Sequence, residues 1–218
     1  NRLADGVIFL ASEMSEEELS QIAMRFPVVQ CCEYKEEARA SHVSIDNKAA
    51  AYMAVKHLIK QGHRKIGLIG CENSFISTKQ REEGYKIALE EEGILVDLSL
   101  IKHGDYGFRS GIRAMNQFFI ENNVPTAVFC ISDSMAIGAI KSIWAKGLKV
   151  PKDIAVMGFD DINFASMYSP GLTTIAQPQY DLGCVSMELL LKVIGGEIIE
   201  PQTIYLEHEL IIRESTLG

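Results

Sequence analysis

Two neighbouring carboxylates, Asp160 and Asp161, are the side chains of this sequence best placed for polar chemistry. They follow the apolar run Ile154–Met157 and the turn residue Gly158. A short apolar run bounded by turn residues predicts a buried parallel strand. Ligands of open α/β sheets lie beyond the carboxyl ends of strands, so we expect these carboxylates to meet a polar ligand. The alternative is that they only form a turn and a helix cap, because Asp is favoured at both.

The usual sequence patterns of enzymes are missing. Gly67–Gly70 lacks the Gly-x-Gly-x-x-Gly spacing of dinucleotide-binding sites, and the sequence has no phosphate-binding loop and no Gly-x-Ser-x-Gly elbow. The five histidines are scattered without metal-ligand spacing. Asp160 and Asp161 could form an acid/base pair, but that enzyme would lack a nucleophile, a metal and a phosphate loop. We therefore predict that the chain is not an enzyme and that it uses no cofactor and no metal.

Charge and cysteine content narrow the class of protein. The sequence has 21 Lys and Arg against 29 Asp and Glu, a net charge of −8. A protein surface that binds nucleic acid needs clustered positive charge, so we do not expect this chain to contact nucleic acid over a broad surface. The five cysteines are odd in number and contain no Cys-x-x-Cys. Successive side chains of a strand alternate, so Cys31 and Cys32 are expected on opposite faces. Reduced, mostly buried thiols in a cytoplasmic protein are predicted.

Targeting and membrane signals are also missing. No apolar run approaches the roughly 18 residues of a membrane helix, so we expect no membrane partner. The start, Asn1–Asp5, has neither Met nor a signal-peptide pattern, and Val7–Leu10 already resembles a strand. We expect the chain to be a fragment of a longer protein.

Strand and helix patterns alternate along the 218 residues. The predicted strands are Val7–Leu10, a segment opening at Pro27, Val43–Ile45, Lys65–Ile69, Thr126–Cys130, Ile154–Met157, Thr203–Leu206 and Leu210–Arg213. The predicted helices begin near Ser15 and after Asp46, and cover Thr78–Glu92, Gly107–Asn122, Asp133–Lys146 and Tyr180–Ile194. This alternation predicts an α/β fold with a doubly wound parallel sheet and right-handed crossovers.

Several segments, taken in order, resemble the effector-binding domain of the LacI/GalR family of bacterial transcription regulators. The longest are Pro125-Thr126-Ala127-Val128-Phe129 with Ser132–Ala139, and Val150–Ile154 with Gly158-Phe159-Asp160-Asp161-Ile162. The others are Asp46–Ile66, Arg81–Tyr85, Gly104–Gly111, Pro170–Gly183 and Ile212–Thr216. Each segment is weak by itself, but together they cover nearly the whole chain.

The resemblance implies a two-lobed, type I periplasmic-binding-protein-like fold whose first lobe is incomplete here. Residues 1–45 with 178–206 would form the partial N-terminal lobe, and residues 46–177 with 207–218 the C-terminal lobe. A sugar or sugar phosphate would bind between the lobes. Operator DNA would be bound by the family's helix-turn-helix, which this chain lacks.

The resemblance also implies ligand-binding residues. Asp160 would accept hydrogen bonds from ligand hydroxyls. Arg81, early in a helix, would bind hydroxyls, a carboxylate or a phosphate, unless it is a surface arginine paired with a Glu. Tyr106 would stack on a sugar ring or a base, unless it is a core aromatic. Ser132 would bind the ligand beyond its strand, and Ser77 is either a ligand contact or a helix N-cap.

Three further features bear on this assignment. Asp133 is expected to cap the helix that it begins and to fix the preceding loop. Cys32 stands where the family commonly carries an Asp, and a thiol cannot bind hydroxyls as a carboxylate does. The segment Gln177–Gly183 resembles the catabolite-control branch, so a phosphorylated carrier protein is a further candidate partner.

The resemblance also implies a homodimer, and the shared fold leaves one alternative function. Ile137, Phe164, Met167 and Tyr168 match surfaces that the family uses for a two-fold homodimer, although core packing could claim some of them. The alternative function is a solute-binding protein of a sugar transporter. That protein would need an export signal upstream, and five cysteines that are expected to be reduced disfavour export.

Overall fold

A computed structural model describes residues 4–11 and 13–217. The chain divides into two compact units. Unit 1 comprises Asn1–Asp46, Phe75–Ser77 and Pro178–Glu207, and unit 2 comprises Asn47–Ser74, Thr78–Gln177 and His208–Gly218. Residues 1–3, 12 and 218 of these ranges, and of the predicted lobes, lie outside the described residues. Within the described ranges, no helix is long and apolar enough to cross a membrane.

The elements alternate as the sequence patterns indicate. The strands are β1 (Val7–Phe9), β2 (Val28–Cys31), β3 (Ser41–Ile45), β4 (Ile66–Cys71), β5 (Ile101–Gly104), β6 (Ala127–Cys130), β7 (Ala155–Met157), β8 (Thr174–Ala176), β9 (Thr203–Leu206) and β10 (Glu209–Ile211). The helices are α1 (Glu16–Ala23), α2 (Asn47–Lys60), α3 (Ile76–Glu91), α4 (Phe108–Ile120), α5 (Asp133–Ala145), α6 (Asn163–Met167) and α7 (Gln179–Ile194).

Unit 1 is built on a four-stranded sheet in the order β1-β2-β3-β9, with every neighbouring pair parallel. β2 and β3 are buried along their whole length, as expected of interior parallel strands. Helix α7 packs against β1, β2 and β3. Leu19 of α1 joins Val28, Ala38 and Ala40 in a buried cluster.

Unit 2 contains a second parallel sheet, in the order β5-β4-β6-β7, and an antiparallel pair of β8 and β10. The α/β class with parallel sheets is therefore confirmed. β6 and β7 are fully buried. The turn after β7 is tied to β8 by a bridge between Asp160 and Ala176.

Local sequence sets the helix ends. The Ser15 hydroxyl accepts the Glu18 N–H at 3.2 Å and Glu18 accepts the Ser15 N–H at 2.9 Å, which forms a capping box at the start of α1. Gly62 ends the turn after α2 at φ +93°, where a side chain would be strained. The His63 N–H then reaches the Leu58 carbonyl at 3.2 Å.

Helices α4 and α5 approach each other at two glycines. A Cβ added to Gly111 would lie 2.1 Å from the Met135 carbonyl oxygen, and one added to Gly138 would lie 2.2 Å from that of Phe108. Both distances are far below van der Waals contact, so only glycine permits this close packing.

The segment after β10 completes unit 2. The buried Ser215 hydroxyl donates to the Val156 carbonyl at 2.6 Å and accepts the Thr173 N–H at 2.8 Å. Thr216 Oγ1 lies 2.9 Å from His57 Nε2. Polar groups that the strand ends would otherwise bury unpaired are thereby hydrogen-bonded.

Several details differ from the sequence predictions, among them the strands β5 and β8, which were not predicted. Helix α3 begins at Ile76, two residues before the predicted start, and the short helix α6 was not predicted. The expected opposite orientation of Cys31 and Cys32 is wrong, since their Sγ atoms lie 3.6 Å apart. β2 ends at Cys31, and the next residue, Cys32, has φ +68°. The alternation of strand side chains therefore stops at Cys31.

Candidate ligand-binding site

The turn after β7 presents the two carboxylates in an unusual backbone conformation. Asp160 has φ +110° and Asp161 has φ +50°. Positive φ is uncommon for residues other than glycine, but Asp adopts it more often than most side chains. The Asp160 N–H donates to the Ile175 carbonyl at 2.8 Å. This bond fixes the turn against β8 and thereby the start of the Asp160 side chain.

The Asp160 carboxylate is held by two neighbours and remains accessible. Gln177 Nε2 donates to Asp160 Oδ1 at 2.6 Å, and Arg81 Nη1 lies 3.5 Å from the same oxygen. The Asp160 side chain is 25 % exposed. A carboxylate oriented by two donors and open to solvent can accept hydrogen bonds from a small polar molecule.

Arg81 is a buried residue of α3, only 5 % exposed. Its Nε donates to Asn47 Oδ1 at 2.9 Å and its Nη1 donates to the Ile131 carbonyl at 2.7 Å. The guanidinium lies 3.6 Å from the centroid of the Phe159 ring. The alternative interpretation of Arg81 as a surface arginine paired with a Glu is therefore wrong.

Asp161 forms an ion pair with a different arginine, Arg213. Its Oδ1 lies 2.8 Å from Arg213 Nη1, and Arg213 also donates to the Leu172 carbonyl at 2.8 Å. The two adjacent carboxylates thus pair with arginines from different parts of the chain.

Tyr106 lies in the turn after β5 with φ +63° and is partly exposed. Its hydroxyl lies 2.6 Å from Thr78 Oγ1, and its carbonyl accepts the Ser132 hydroxyl at 3.4 Å. Because its polar end is hydrogen-bonded, the ring has a defined orientation.

Ser132 takes the capping role that the sequence suggested for Asp133. Ser132 is the N-cap of α5, and its hydroxyl accepts the Met135 N–H at 3.3 Å, so the prediction of Asp133 as the cap is wrong. Asp133 is fully buried and accepts the Ile162 N–H at 2.9 Å and the Thr174 hydroxyl at 2.6 Å. These bonds fix the loop that carries Asp160, whereas the sequence suggested that Asp133 would fix the loop before α5.

Asp133 is also a carboxyl whose pKa is strongly shifted. Its burial raises the pKa to about 7, and the negative charges of Asp160 and Asp161 add to that increase. The hydrogen bonds from Thr174 and Ile162 act in the opposite direction and lower the pKa.

Ser77 is a buried residue of the first turn of α3, not its N-cap. Its hydroxyl and its N–H both donate to the Glu33 carboxylate. Ser77 belongs to unit 1, whereas Asp160, Arg81, Tyr106 and Ser132 belong to unit 2. Within unit 2, Arg81 contacts Asp160, and Ser132 contacts Tyr106.

Sequence reasoning missed the supporting residues. Asn47 and Gln177 hold Arg81 and Asp160, and Thr78 holds Tyr106. Their side chains are common helix-start and strand-end types, so only their positions beside the predicted site residues could have signalled them. In the described part of the chain, His, Cys, Asp and Glu side chains form no group of three that could hold a metal ion.

The predicted interface residues fall into two groups. Phe164 and Met167 of α6 are strongly exposed, at 66 % and 76 %. Tyr168 stacks on Trp144 with ring centroids 5.5 Å apart, whereas Ile137 is buried in α5. The ligand-binding and interface assignments stay predictions.

The sequence pattern of a protein family, the periplasmic binding protein-like domain, matches residues 55–216, about three quarters of the chain. The chain belongs to this family. Structural similarity agrees: the chain superimposes with TM-score 0.91 and 32 % identity on the transcriptional regulator CelR in its cellobiose complex, covering 98 % of this chain and 66 % of that one.

Relatives from bacteria identify this as the domain type of LacI-type regulators. The chain is 36 % identical to catabolite control protein A of Priestia megaterium over 97 % of its length, covering 64 % of the relative. It is 40 % identical to the HTH-type transcriptional repressor CytR of Escherichia coli K12 over 97 % of its length, covering 62 % of the relative. The chain therefore spans less than two thirds of these proteins. The predicted family resemblance is confirmed.

Proposed function

We propose that this chain is the ligand-sensing part of a cytoplasmic, LacI-type transcription regulator, and that Asp160 binds a hydroxyl-rich metabolite. The single observation that supports the ligand proposal is the partly exposed Asp160 carboxylate, held by Gln177 and by Arg81. The relatives, which are repressors and control proteins, favour a regulator over a transporter's solute-binding protein.

The chemistry of the site favours a neutral sugar over a sugar phosphate. Arg81 already donates to Asn47 and to the Ile131 carbonyl and lies beside Asp160. A phosphate would have to compete with these partners and would approach the negative charge of Asp160. Sugar hydroxyls instead donate to a carboxylate and match its charge.

Tyr106 supplies a second type of contact. Sugar rings carry apolar faces, and a partly exposed aromatic ring with a fixed hydroxyl can stack on them. Thr78 holds the Tyr106 hydroxyl at 2.6 Å. We therefore infer that Tyr106 and Asp160 bind different faces of one ligand. The cellobiose complex of the structural relative supports a saccharide as the first candidate.

The remaining partners follow from the same relatives. We infer that operator DNA is bound by a helix-turn-helix outside these 218 residues, because CytR is an HTH-type repressor and the net charge here is −8. We infer a homodimer through the exposed Phe164 and Met167 of α6. A phosphorylated carrier protein is the alternative effector, given the likeness to catabolite control protein A.

The ligand proposal is tested by thermal unfolding and titration calorimetry with neutral sugars, their phosphates and nucleosides, starting with cellobiose. We expect one neutral, hydroxyl-rich compound to raise the melting temperature. We expect Asp160→Asn to weaken its binding by at least about tenfold, since a bond to a charged group contributes roughly 1.5–3 kcal/mol.

Asp161→Asn is the matched control. It removes the same charge at the next residue, and Asn also tolerates a positive φ. It should lower stability through loss of the Arg213 pair but leave ligand affinity within about twofold. Equal loss of affinity in both variants, or a preference for sugar phosphates, would contradict the proposed role of Asp160.

A further inference from the structure

Cys31 and Cys32 form a pair of adjacent thiols in unit 1, with Sγ atoms 3.6 Å apart. Cys31 is the last residue of β2, and Cys32 has φ +68°. The Glu33 N–H donates to the Cys31 carbonyl at 2.9 Å, which closes a γ-turn centred on Cys32. This rare turn, and not the strand, brings the second sulfur beside the first.

Neighbouring groups hold the turn in place. The Cys32 N–H donates to the Val43 carbonyl at 2.9 Å, and the Ser44 hydroxyl donates to the Cys32 carbonyl at 3.0 Å. Strained turns of this kind persist only where the surroundings determine them, and they concentrate at functional positions. The closeness of the two sulfurs is therefore a built feature of unit 1.

The two thiols differ in access and in acidity. Cys31 is 2 % exposed, whereas Cys32 is partly exposed. A hydrogen bond from the Cys32 thiol lowers the pKa of Cys31 to about 6, against the opposing effect of burial. The fully buried Ser186 hydroxyl, which finds no ordinary hydrogen-bond partner among the described residues, also interacts with Cys31 and lowers this pKa. The Cys31 thiol is thus more acidic than an ordinary cysteine.

We propose that Cys31 and Cys32 form a reversible disulfide by exchange with a low-molecular-weight disulfide, which makes unit 1 responsive to the thiol–disulfide balance of its surroundings. This inference is independent of the ligand proposed for Asp160.

The exchange proceeds in two steps. The accessible Cys32 first loses its proton to water, and its thiolate attacks the small disulfide. This attack forms a mixed disulfide with one half and releases the other half as a thiolate, which takes up a proton from water. The Cys31 thiolate then attacks Cys32 Sγ and releases the second half as a thiolate. The cysteine pair is oxidised by two electrons, and the small disulfide is reduced to two thiols. Bond formation needs the sulfurs to approach from 3.6 Å to about 2.05 Å.

The other cysteines lack this arrangement. Burial raises the pKa of Cys71, and the nearby Asp105 adds to that increase. Burial also raises the pKa of the fully buried Cys130 well above its usual range. Thiols with raised pKa values are poorly ionised at neutral pH and exchange slowly.

The test incubates the 218-residue chain with oxidised glutathione and maps the products by mass spectrometry of proteolytic peptides. We expect loss of two hydrogens in the peptide that holds both Cys31 and Cys32, reversed by reduced glutathione. Cys31→Ser should stop at the first step and accumulate a glutathione adduct on Cys32. Cys71→Ser, the matched control, should react like the parent chain.

Several results would overturn the proposal. They are an unmodified Cys31–Cys32 peptide in the parent chain, glutathione on Cys71 or Cys184 at rates equal to Cys32, and pairing of Cys31 with another cysteine. The first result needs no variant, so poor folding of Cys31→Ser cannot obscure the outcome. Cys31→Ala, which keeps the small apolar volume, repeats the trapping experiment independently.

Discussion

Asp160 shows how one residue acquires a function from its backbone. The chain leaves β7 through Gly158 and Phe159 and enters two consecutive residues with positive φ. The strand-end position follows from the sequence, because an apolar run followed by glycine marks the end of a buried strand. The donors that orient the carboxylate come from α3 and from the residue after β8, and no local pattern predicts that meeting.

The buried Asp133 makes the stability of unit 2 depend on pH. Its pKa is about 7 in the folded chain against an ordinary value of 3.8. Between these values the folded state binds more protons than the unfolded state, so the free energy of unfolding falls as pH rises from about 4 to 7. We expect the contribution of Asp133 to be about 2 kcal/mol smaller at pH 8 than at pH 5.

Comparison with Asp133→Asn isolates this contribution, because Asn does not titrate. Urea unfolding followed by the fluorescence of Trp144, the only tryptophan of the chain, reports on α5. The substitution should cost more at pH 5 than at pH 8. A constant cost across this range would show that Asp133 stays ionised in the folded state.

The selection of Ser132 rather than Asp133 as the N-cap of α5 has a simple physical cause. Both side chains are good N-caps, and their order in the sequence does not decide which one lies outside the helix. In the structure, Asp133 meets donors from two distant segments, the Ile162 N–H and the Thr174 hydroxyl. These long-range bonds determine the register, and they are invisible to local reasoning.

At the scale of elements, the contact between α4 and α5 is the most sharply constrained. We expect Gly111→Ala to lower the free energy of unfolding by about 2–3 kcal/mol, because the added methyl group would overlap the Met135 carbonyl. The same urea titration, followed by Trp144 fluorescence and by circular dichroism, measures the change.

Gly183→Ala provides the control in another helix. A Cβ at Gly183 in α7 meets nothing within 4 Å, so alanine should keep or raise helix stability by up to about 1 kcal/mol. It should leave the Trp144 transition unchanged. Equal destabilisation by both substitutions would mean that the loss arises from helix glycines in general and not from this contact.

Hydrophobic periodicity and turn residues predicted most elements, because four of the five long helices end near a glycine and the interior strands β4 and β6 are apolar runs. Gly62, Gly93, Gly147 and Gly196 all have positive φ after the helices they follow. The failures are short or irregular segments. Helix α6 has only five residues, and the turn at Cys32 breaks strand alternation through one backbone angle.

At the scale of the whole molecule, the proposed dimer depends on α6. Met167 is 76 % exposed and Phe164 is 66 % exposed, beside the stacked rings of Trp144 and Tyr168. In a two-fold interface each substitution occurs twice. We expect Met167→Glu to weaken dimerisation at least about tenfold, which sedimentation velocity over a concentration series measures.

Ile120→Glu is a suitable control for that experiment. Ile120 ends α4 in the same unit and is 77 % exposed, so the substitution adds the same charge to an equally open apolar side chain. It should leave self-association unchanged. A parent chain that stays monomeric at every concentration, or equal effects of both variants, would remove α6 from the interface.

The segments of the two units alternate along the sequence, and this order limits where recombination between related genes can preserve unit 2. β10 pairs with β8, and Ser215 is hydrogen-bonded to Val156 and Thr173, although Pro178–Glu207 of unit 1 intervenes in the sequence. A recombinant gene with one crossover within that intervening segment would join strands from different parents inside unit 2. Viable chimaeras should therefore need two crossovers, and residues 171–176 and 209–216 should pass between lineages together.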